Sequence, residues 1–308
     1  MNRELFIDGL KGFAILLVIL GHVLQYNYGG LESSIAYRMI YSFHMPLFFF
    51  LSGYVSRNAT IKKCAISLLV PYLFWGFVLC ILNDWNISCL FLDPDKVLWF
   101  LLILFYCHLF HILIKTYIDS TFYVILIAFM LCVITYIIGK GDIGGLRLYA
   151  RSLPFFLLGY YINEYKLLSK LNSSKIRLLC WVFFVLMSPQ FTRNGNPLFF
   201  SYWNLGIIGR FIFDFAVALF GIFSFFTLFD YIYKKYNIKS LSYIGRKTLA
   251  IYALQFFFVG YCGFFFTTYS AIGILCYSVI VLLICLSIEK VSTYIPFAPL
   301  ILFGKKRK

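Results

Sequence analysis

The sequence predicts an all-α fold, a polytopic integral membrane bundle of about ten transmembrane helices with both termini in the cytoplasm, and three observations carry that expectation. Of the 308 residues, 62% are hydrophobic and 21% aromatic against 13% charged, with a mean hydropathy of +0.87; a soluble globule has no interior that could hide so much apolar surface. Apolar runs of about 17–25 residues recur along the whole chain, the length a helix needs to cross a hydrocarbon core of about 30 Å. The basic residues sort to alternate breaks between the runs. The runs lack the strict alternation of barrel strands, and only helices or closed barrels satisfy their backbone groups in lipid.

Taken in order, the runs place spans at 9–28, 38–56, 64–83, 96–115, 121–139, 148–164, 176–192, 205–229, 247–266 and 271–289. The first follows Arg3 in the manner of a signal peptide, but Gln25, Tyr26, Asn27 and Tyr28 stand where a small-residue cleavage site belongs, so it is expected to remain as a helix. An even number of spans leaves both termini on one side. With that side cytoplasmic, Arg57, Lys62, Lys63, Lys115, Lys166, Lys170, Lys175, Arg177, Lys234, Lys235, Lys239, Arg246, Lys247, Lys305, Lys306, Arg307 and Lys308 share it. Lys96, Lys140, Arg147 and Arg193 lie opposite, with Asp84, Asp93 and Asp95, as the positive-inside rule requires.

The net charge of +15 is thereby a matter of topology and attraction to anionic lipid, and no nucleic-acid partner is expected. No break is long enough for a soluble domain, so residues 1–308 are expected to form one transmembrane domain. No inverted repeat of the transporter kind is visible. The nine cysteines (Cys64, Cys80, Cys89, Cys107, Cys132, Cys180, Cys262, Cys276 and Cys285) form no Cys-x-x-Cys pair and fall mostly inside apolar runs. They read as small buried hydrophobes, and no metal site is expected.

Ionisable groups at bilayer depth cost at least about 2.5–3.5 kcal/mol, so those present mark candidate chemistry. The first span holds Asp8, Lys11 and His22, and the second holds His44. Lys11 and His22, eleven residues apart, return to one helix face after three turns and stand about 16 Å apart along the axis. His44 lies about 9 Å below the outer end of a span running the other way, so the two imidazoles reach a similar depth. An imidazole titrates near neutrality and can take a proton from a hydroxyl and return it to a leaving group. The plainer alternative is a ring hydrogen-bonded to a backbone carbonyl. Asp8 is either the N-cap of the first helix or the partner of Lys11 three residues on. His108 and His111, near the cytoplasmic end of the fourth span, read as structural or interfacial.

Asp8-Gly-Leu-Lys11-Gly-Phe-Ala-Ile, with ten residues between Lys11 and His22, resembles the Arg/Lys-x10-His signature of the acyltransferase-3 family, which includes the lipopolysaccharide O-acetylases and the fucose 4-O-acetylase group. Ser42-Phe-His44-Met-Pro46-Leu-Phe-Phe-Phe-Leu-Ser52-Gly53-Tyr54 is similar to the family's second-helix motif and is the more specific match. Leu69-Val-Pro71-Tyr72, Leu98-Trp99-Phe100-Leu101, Phe155-Phe-Leu-Leu-Gly159-Tyr and Gly245-Arg246-Lys-Thr248-Leu-Ala-Ile-Tyr252 extend the resemblance over nearly the whole chain. The last motif usually runs on to a His where this chain has Gln255, a side chain that still donates and accepts hydrogen bonds.

The resemblance implies a bundle in the bacterial inner membrane that takes an acyl group, usually acetyl, from coenzyme A and delivers it to a hydroxyl of a cell-surface polysaccharide or lipid-linked glycan. Acetyl-CoA would be a substrate, with no cofactor permanently bound. On that expectation His22 is the general base, His44 assists or orients, and Lys11 with Asp8 anchors the donor's entry path; a covalent acyl-histidine intermediate is the alternative to direct transfer. Arg57, Lys62 and Lys63 suit the coenzyme's phosphates, and Ser52 and Trp99 join the donor side through their motifs. On the acceptor side, Arg210 and Asp214 are spaced to pair on one helix face. Arg151 either meets an anionic acceptor or snorkels, and the aromatic stretch Phe199 to Trp203 offers stacking faces or an interfacial belt. The rival reading is a glycan or lipid transporter or flippase, which needs charged groups along a path through several helices; here the deep polar groups cluster in the first two. A glycan polymerase, the third option, would carry a sizeable outer loop.

Overall fold

A computed structural model of the chain describes residues 3–27, 34–138, 143–167, 173–193, 197–200, 206–236, 238–261 and 270–305. Every regular element among the described residues is helical. In order the main helices are α1 (Arg3–Asn27), α2 (Ile35–Tyr54), α3 (Ile61–Leu82), α4 (Trp99–Tyr117), α5 (Thr121–Ile138), α6 (Leu146–Glu164), α7 (Ser174–Met187), α8 (Gly206–Lys235), α9 (Lys239–Gly245), α10 (Thr248–Gln255), α11 (Ala271–Ser292) and α12 (Ala298–Phe303). Within α3 a π-turn occupies Ala65–Leu69 just ahead of Pro71. Proline has no N–H to return to the preceding turn, and the wider turn absorbs the mismatch.

Among the described residues five helical stretches are long and apolar enough to cross a membrane: Leu5–Asn27, Ile61–Leu82, Trp99–Tyr117, Ile208–Lys235 and Ala271–Ser292. A shorter apolar stretch lies at Thr121–Tyr136. α2 has the length, but Arg38, Ser42, His44 and Pro46 dilute its apolar character. The span predicted at 247–266 is built differently: α10 has only 8 residues, a 3-10 turn follows at Val259–Tyr261, and 262–266 lies outside the described residues. So do Lys140, Lys170, Cys262 and the 201–203 part of the aromatic stretch.

The chain divides into two compact units, Met1–Phe48 with Leu167–Ser287, and Phe49–Lys166 with Ile288–Lys308. In the first unit α1 is enclosed by neighbours that approach it at glycines. A Cβ on Gly12 would sit 2.1 Å from the Leu241 carbonyl oxygen, and one on Gly245 would sit 1.7 Å from that of Asp8. α9 therefore lies backbone to backbone on the first half of α1. Ser242 Oγ donates to Leu5 O at 2.8 Å and lies 3.0 Å from the Tyr233 hydroxyl, which fills the space left by Gly9. Rings complete the packing: Phe6 against Phe226, Phe13 against Phe225 and Phe229, and Phe43 stacked on Phe225 at 4.8 Å and 4°.

The second unit uses the same device. Gly53 and Gly159 let the backbones of α2 and α6 meet, since a Cβ on either would fall 1.9 Å from a carbonyl oxygen of the other helix. Asn163 Nδ2 donates to Tyr54 O at 2.6 Å. α12 is held to α3 by Trp75 Nε1 donating to Leu302 O at 2.8 Å, and Lys305 pairs with buried Glu289 at 3.3 Å. Cys80 and Cys89 bring their sulfurs to 3.2 Å beside the break between α3 and α4.

The glycine contacts predict that Gly245→Ala lowers the thermal midpoint of the purified protein, by an overpacking cost of about 1–3 kcal/mol or more because backbone atoms must move. Gly260→Ala, with no described atom within 4 Å of its Cβ, is expected to leave the midpoint unchanged. Equal midpoints for the two variants would contradict the close contact of α1 and α9.

Candidate active site

The second half of α1 and the first half of α2 are locked in register by two contacts. Gly21 lets α2 approach: a Cβ there would meet Tyr41 Cε2 at 3.0 Å and Ile40 Cγ2 at 3.2 Å. The Tyr41 hydroxyl donates to Gln25 Oε1. Gln25 follows His22 by three residues and Tyr41 precedes His44 by three, so each contact residue shares a helix face with its histidine. The register brings the two imidazoles within electrostatic range of each other.

The rings differ in what holds them. His44 is buried, and its Nδ1 lies 2.7 Å from Ile40 O. A carbonyl can only accept, so Nδ1 carries the hydrogen, and in the neutral ring Nε2 is left as the basic nitrogen. Tyr41 packs edge-on against this ring at 4.8 Å. His22 packs on Phe256 at 5.0 Å and Tyr26 at 6.3 Å, and its buried Nδ1 has no hydrogen-bond partner among the described residues. Gln255, the last residue of α10, lies against the His22 ring, yet neither of its amide atoms reaches hydrogen-bond geometry with any described group. α10 and the Val259–Tyr261 turn are brought to α1 in part by Asn27 Nδ2, which donates to Val259 O at 2.7 Å.

The remaining predicted residues fall into separate groups. Asp8 and Lys11 interact with one another on α1, about 21 Å and about 16 Å along the axis from His22. Asp8 is not an N-cap: α1 begins at Arg3, so Asp8 stands in its second turn, and that alternative falls. Arg210 pairs with Asp214 as its spacing predicts, Nε to Oδ2 at 3.7 Å. Ser52, Arg57, Lys62, Lys63, Trp99 and Arg151 belong to the second unit. Ser52 is half-buried on α2, Arg57 is exposed in the turn Ser56–Asn58, and Lys62 and Lys63 are exposed at the start of α3, where Thr60 caps the Lys63 N–H. Trp99 is half-buried beside Phe49, and Arg151 is exposed on α6. His108 and His111 are buried, with Phe156 and Tyr160 as ring neighbours.

Sequence reasoning missed Arg193. Its guanidinium lies within electrostatic range of His22, His44, Tyr26 and Tyr41, and no periodicity relates a loop residue to a helix face. Arg210 holds this segment, donating through one terminal nitrogen to the carbonyls of Thr192 and Arg193. Helical spacing could have found Gln25 and Tyr41, three residues from each histidine. Arg210→Ala removes both charge-assisted bonds, and tryptic cleavage after Arg193 is expected to speed up about tenfold or more, the equivalent of about 1.4 kcal/mol. An unchanged cleavage rate would contradict the restraint.

A family model described as an acyltransferase domain matches residues 4–290. The chain is similar to the nodulation protein NolL of Mesorhizobium japonicum (strain LMG 29417 / CECT 9101 / MAFF 303099), 39% identical over 109 residues, or 32% of this chain and 28% of that protein. It is also similar to the nodulation protein NolL of Sinorhizobium fredii (strain NBRC 101917 / NGR234), 38% identical over 86 residues, or 24% of each. The matches thus span about a quarter of the length of these relatives. No solved structure matches the chain. With a match running through both histidine motifs and nearly the whole sequence, the chain belongs to the acyltransferase-3 family.

Proposed function

We propose that the protein is a membrane O-acyltransferase that moves an acyl group, most simply acetyl from acetyl-CoA, to a sugar hydroxyl of a cell-surface polysaccharide or lipid-linked glycan. The observation that carries this reading is the pair of imidazoles on α1 and α2, one with its tautomer set by a carbonyl and the other with a buried ring nitrogen that reaches no described hydrogen-bond partner. Family membership supports the reaction class. The setting we propose is a bacterial inner membrane crossed by about ten helices, with both termini in the cytoplasm and the basic breaks on that side.

In this reading His22 Nδ1 accepts the hydrogen of the acceptor hydroxyl while its oxygen attacks the thioester carbonyl carbon. The tetrahedral adduct collapses with rupture of the C–S bond, and the proton held by His22 passes to the departing thiolate. The products are the sugar ester and free coenzyme A. His44, with Nε2 as its basic nitrogen, orients His22 or the acceptor. Asp8 and Lys11 line the donor's approach in the first unit. Arg57, Lys62 and Lys63, exposed cations on the second unit, suit coenzyme phosphates, with Ser52 and Trp99 on the donor side and Arg151, Arg210 and Asp214 on the acceptor side.

His22→Ala and His44→Ala are each expected to leave folded, membrane-inserted protein and to abolish the gain of one acetyl mass per glycan unit that mass spectrometry of cells carrying the wild-type gene reveals. Full acetylation in both variants would contradict the assignment. Replacing Arg57, Lys62 and Lys63 together by Ala is expected to raise KM for acetyl-CoA about tenfold or more with kcat little changed, since such contacts bind ground and transition states alike.

A further inference from the structure

Among the buried polar atoms of the first unit that reach no hydrogen-bond partner in the described residues are Nδ1 of His22 and both Nε2 and Oε1 of Gln255. They lie against one another. Gln255 is 0% exposed, at the end of a helix whose other residues from Ala250 onward are buried and, with the exception of the Tyr252 hydroxyl, apolar. The amide interacts with the imidazole, yet its donor and acceptor reach full hydrogen-bond geometry with no described group, and a ligand that completes them is a physical reason for keeping a buried amide there. His22 Nδ1 can serve a hydroxyl as acceptor. The amide adds a donor that stays neutral and keeps its hydrogens at every pH, so it does not compete for the proton His22 must carry.

We infer that Gln255 is a catalytic residue whose Nε2–H donates to the carbonyl oxygen of the acyl group in transfer. The inference rests on the acyltransferase reading above and names the group that holds the charge developed in that step. As the acceptor oxygen bonds to the thioester carbonyl carbon, the carbonyl π pair moves onto its oxygen, and the amide N–H, already fixed in a dry site, stabilises it. When that pair re-forms the carbonyl, the C–S bond breaks and the thiolate leaves with the proton from His22. Oε1 remains available to a neighbouring hydroxyl of the acceptor.

The test uses the full-length protein in cells and in detergent, with Gln255→Leu, Gln255→His and His22→Ala. Leucine has a similar volume and no polar atoms, so it relieves two unsatisfied groups. The expected result is a thermal midpoint equal to or above wild type, with the initial rate of acetyl ester formation on surface glycan falling on the order of a hundred- to a thousandfold per copy of folded protein. Gln255→His, which keeps an N–H, is expected to recover at least a tenth of the wild-type rate. A lowered midpoint in Gln255→Leu with activity falling only in step with folded protein would show a structural amide and overturn the inference. Wild-type ester formation in Gln255→Leu beside an inactive His22→Ala would overturn the role of Gln255 and leave the histidine reading standing. Wild-type ester formation in both would overturn the two together.

Discussion

The site depends on how closely other helices approach α1, and that closeness depends on missing side chains. Gly9 and Gly12 admit Tyr233 and the backbone of α9, while Gly21 admits Tyr41 and Ile40 of α2. In an apolar bundle side-chain volume sets the distance between helices, because lipid and leucine compete equally for an apolar face and small residues allow backbones to meet. Once α1 is held on these two sides, the Gln25–Tyr41 hydrogen bond fixes the register of α1 against α2. His22 and His44 then have little choice but to stand together.

The polar groups follow a second constraint. Burying an unpaired hydrogen-bonding group costs about 1–3 kcal/mol, and much of this fold complies by pairing: His44 with Ile40 O, Lys234 with buried Asp230 at 2.6 Å, Arg210 with Asp214 and two carbonyls. Among the described residues several buried atoms depart from that rule, and at His22 Nδ1 and the Gln255 amide they do so in adjoining side chains. A stable fold tolerates such a departure where a substrate supplies the missing partners, which is the reason the unsatisfied atoms, more than the histidines alone, point to chemistry. Arg193 adds a fixed positive charge nearby and is tied down by Arg210 through its backbone.

Much of this was legible in the residues. Apolar period and length located the helices, and counting turns put His22 and His44 at similar depth. The Asp8-Gly-Leu-Lys11-Gly motif owes its first glycine to Tyr233 of α8 and its second to the α9 contact. The Arg210–Asp214 pair followed from its spacing. What could not be read depends on packing between segments far apart in the chain. Gln255 reaches His22 because α10 is short and set off from α9 by Arg246 and Lys247, whereas the apolar run alone suggested one long span. Asp8 was open to a capping role because helix starts are set by backbone geometry that the apolar pattern does not mark, and α1 in fact begins five residues earlier. The π-turn before Pro71 is a local accommodation of a kind that periodicity averages away.

The account's central claim is that the two imidazoles work as a unit in one site. A double-mutant cycle on the initial rate of acyl transfer tests it most directly, comparing wild type, the two single alanine variants at His22 and His44, and the double variant, each normalised to folded protein. Residues that act together are strongly non-additive, so the double variant should be no slower than the worse single variant within about threefold. If instead the two single losses multiply in the double variant, the rings act independently, and a shared site is contradicted.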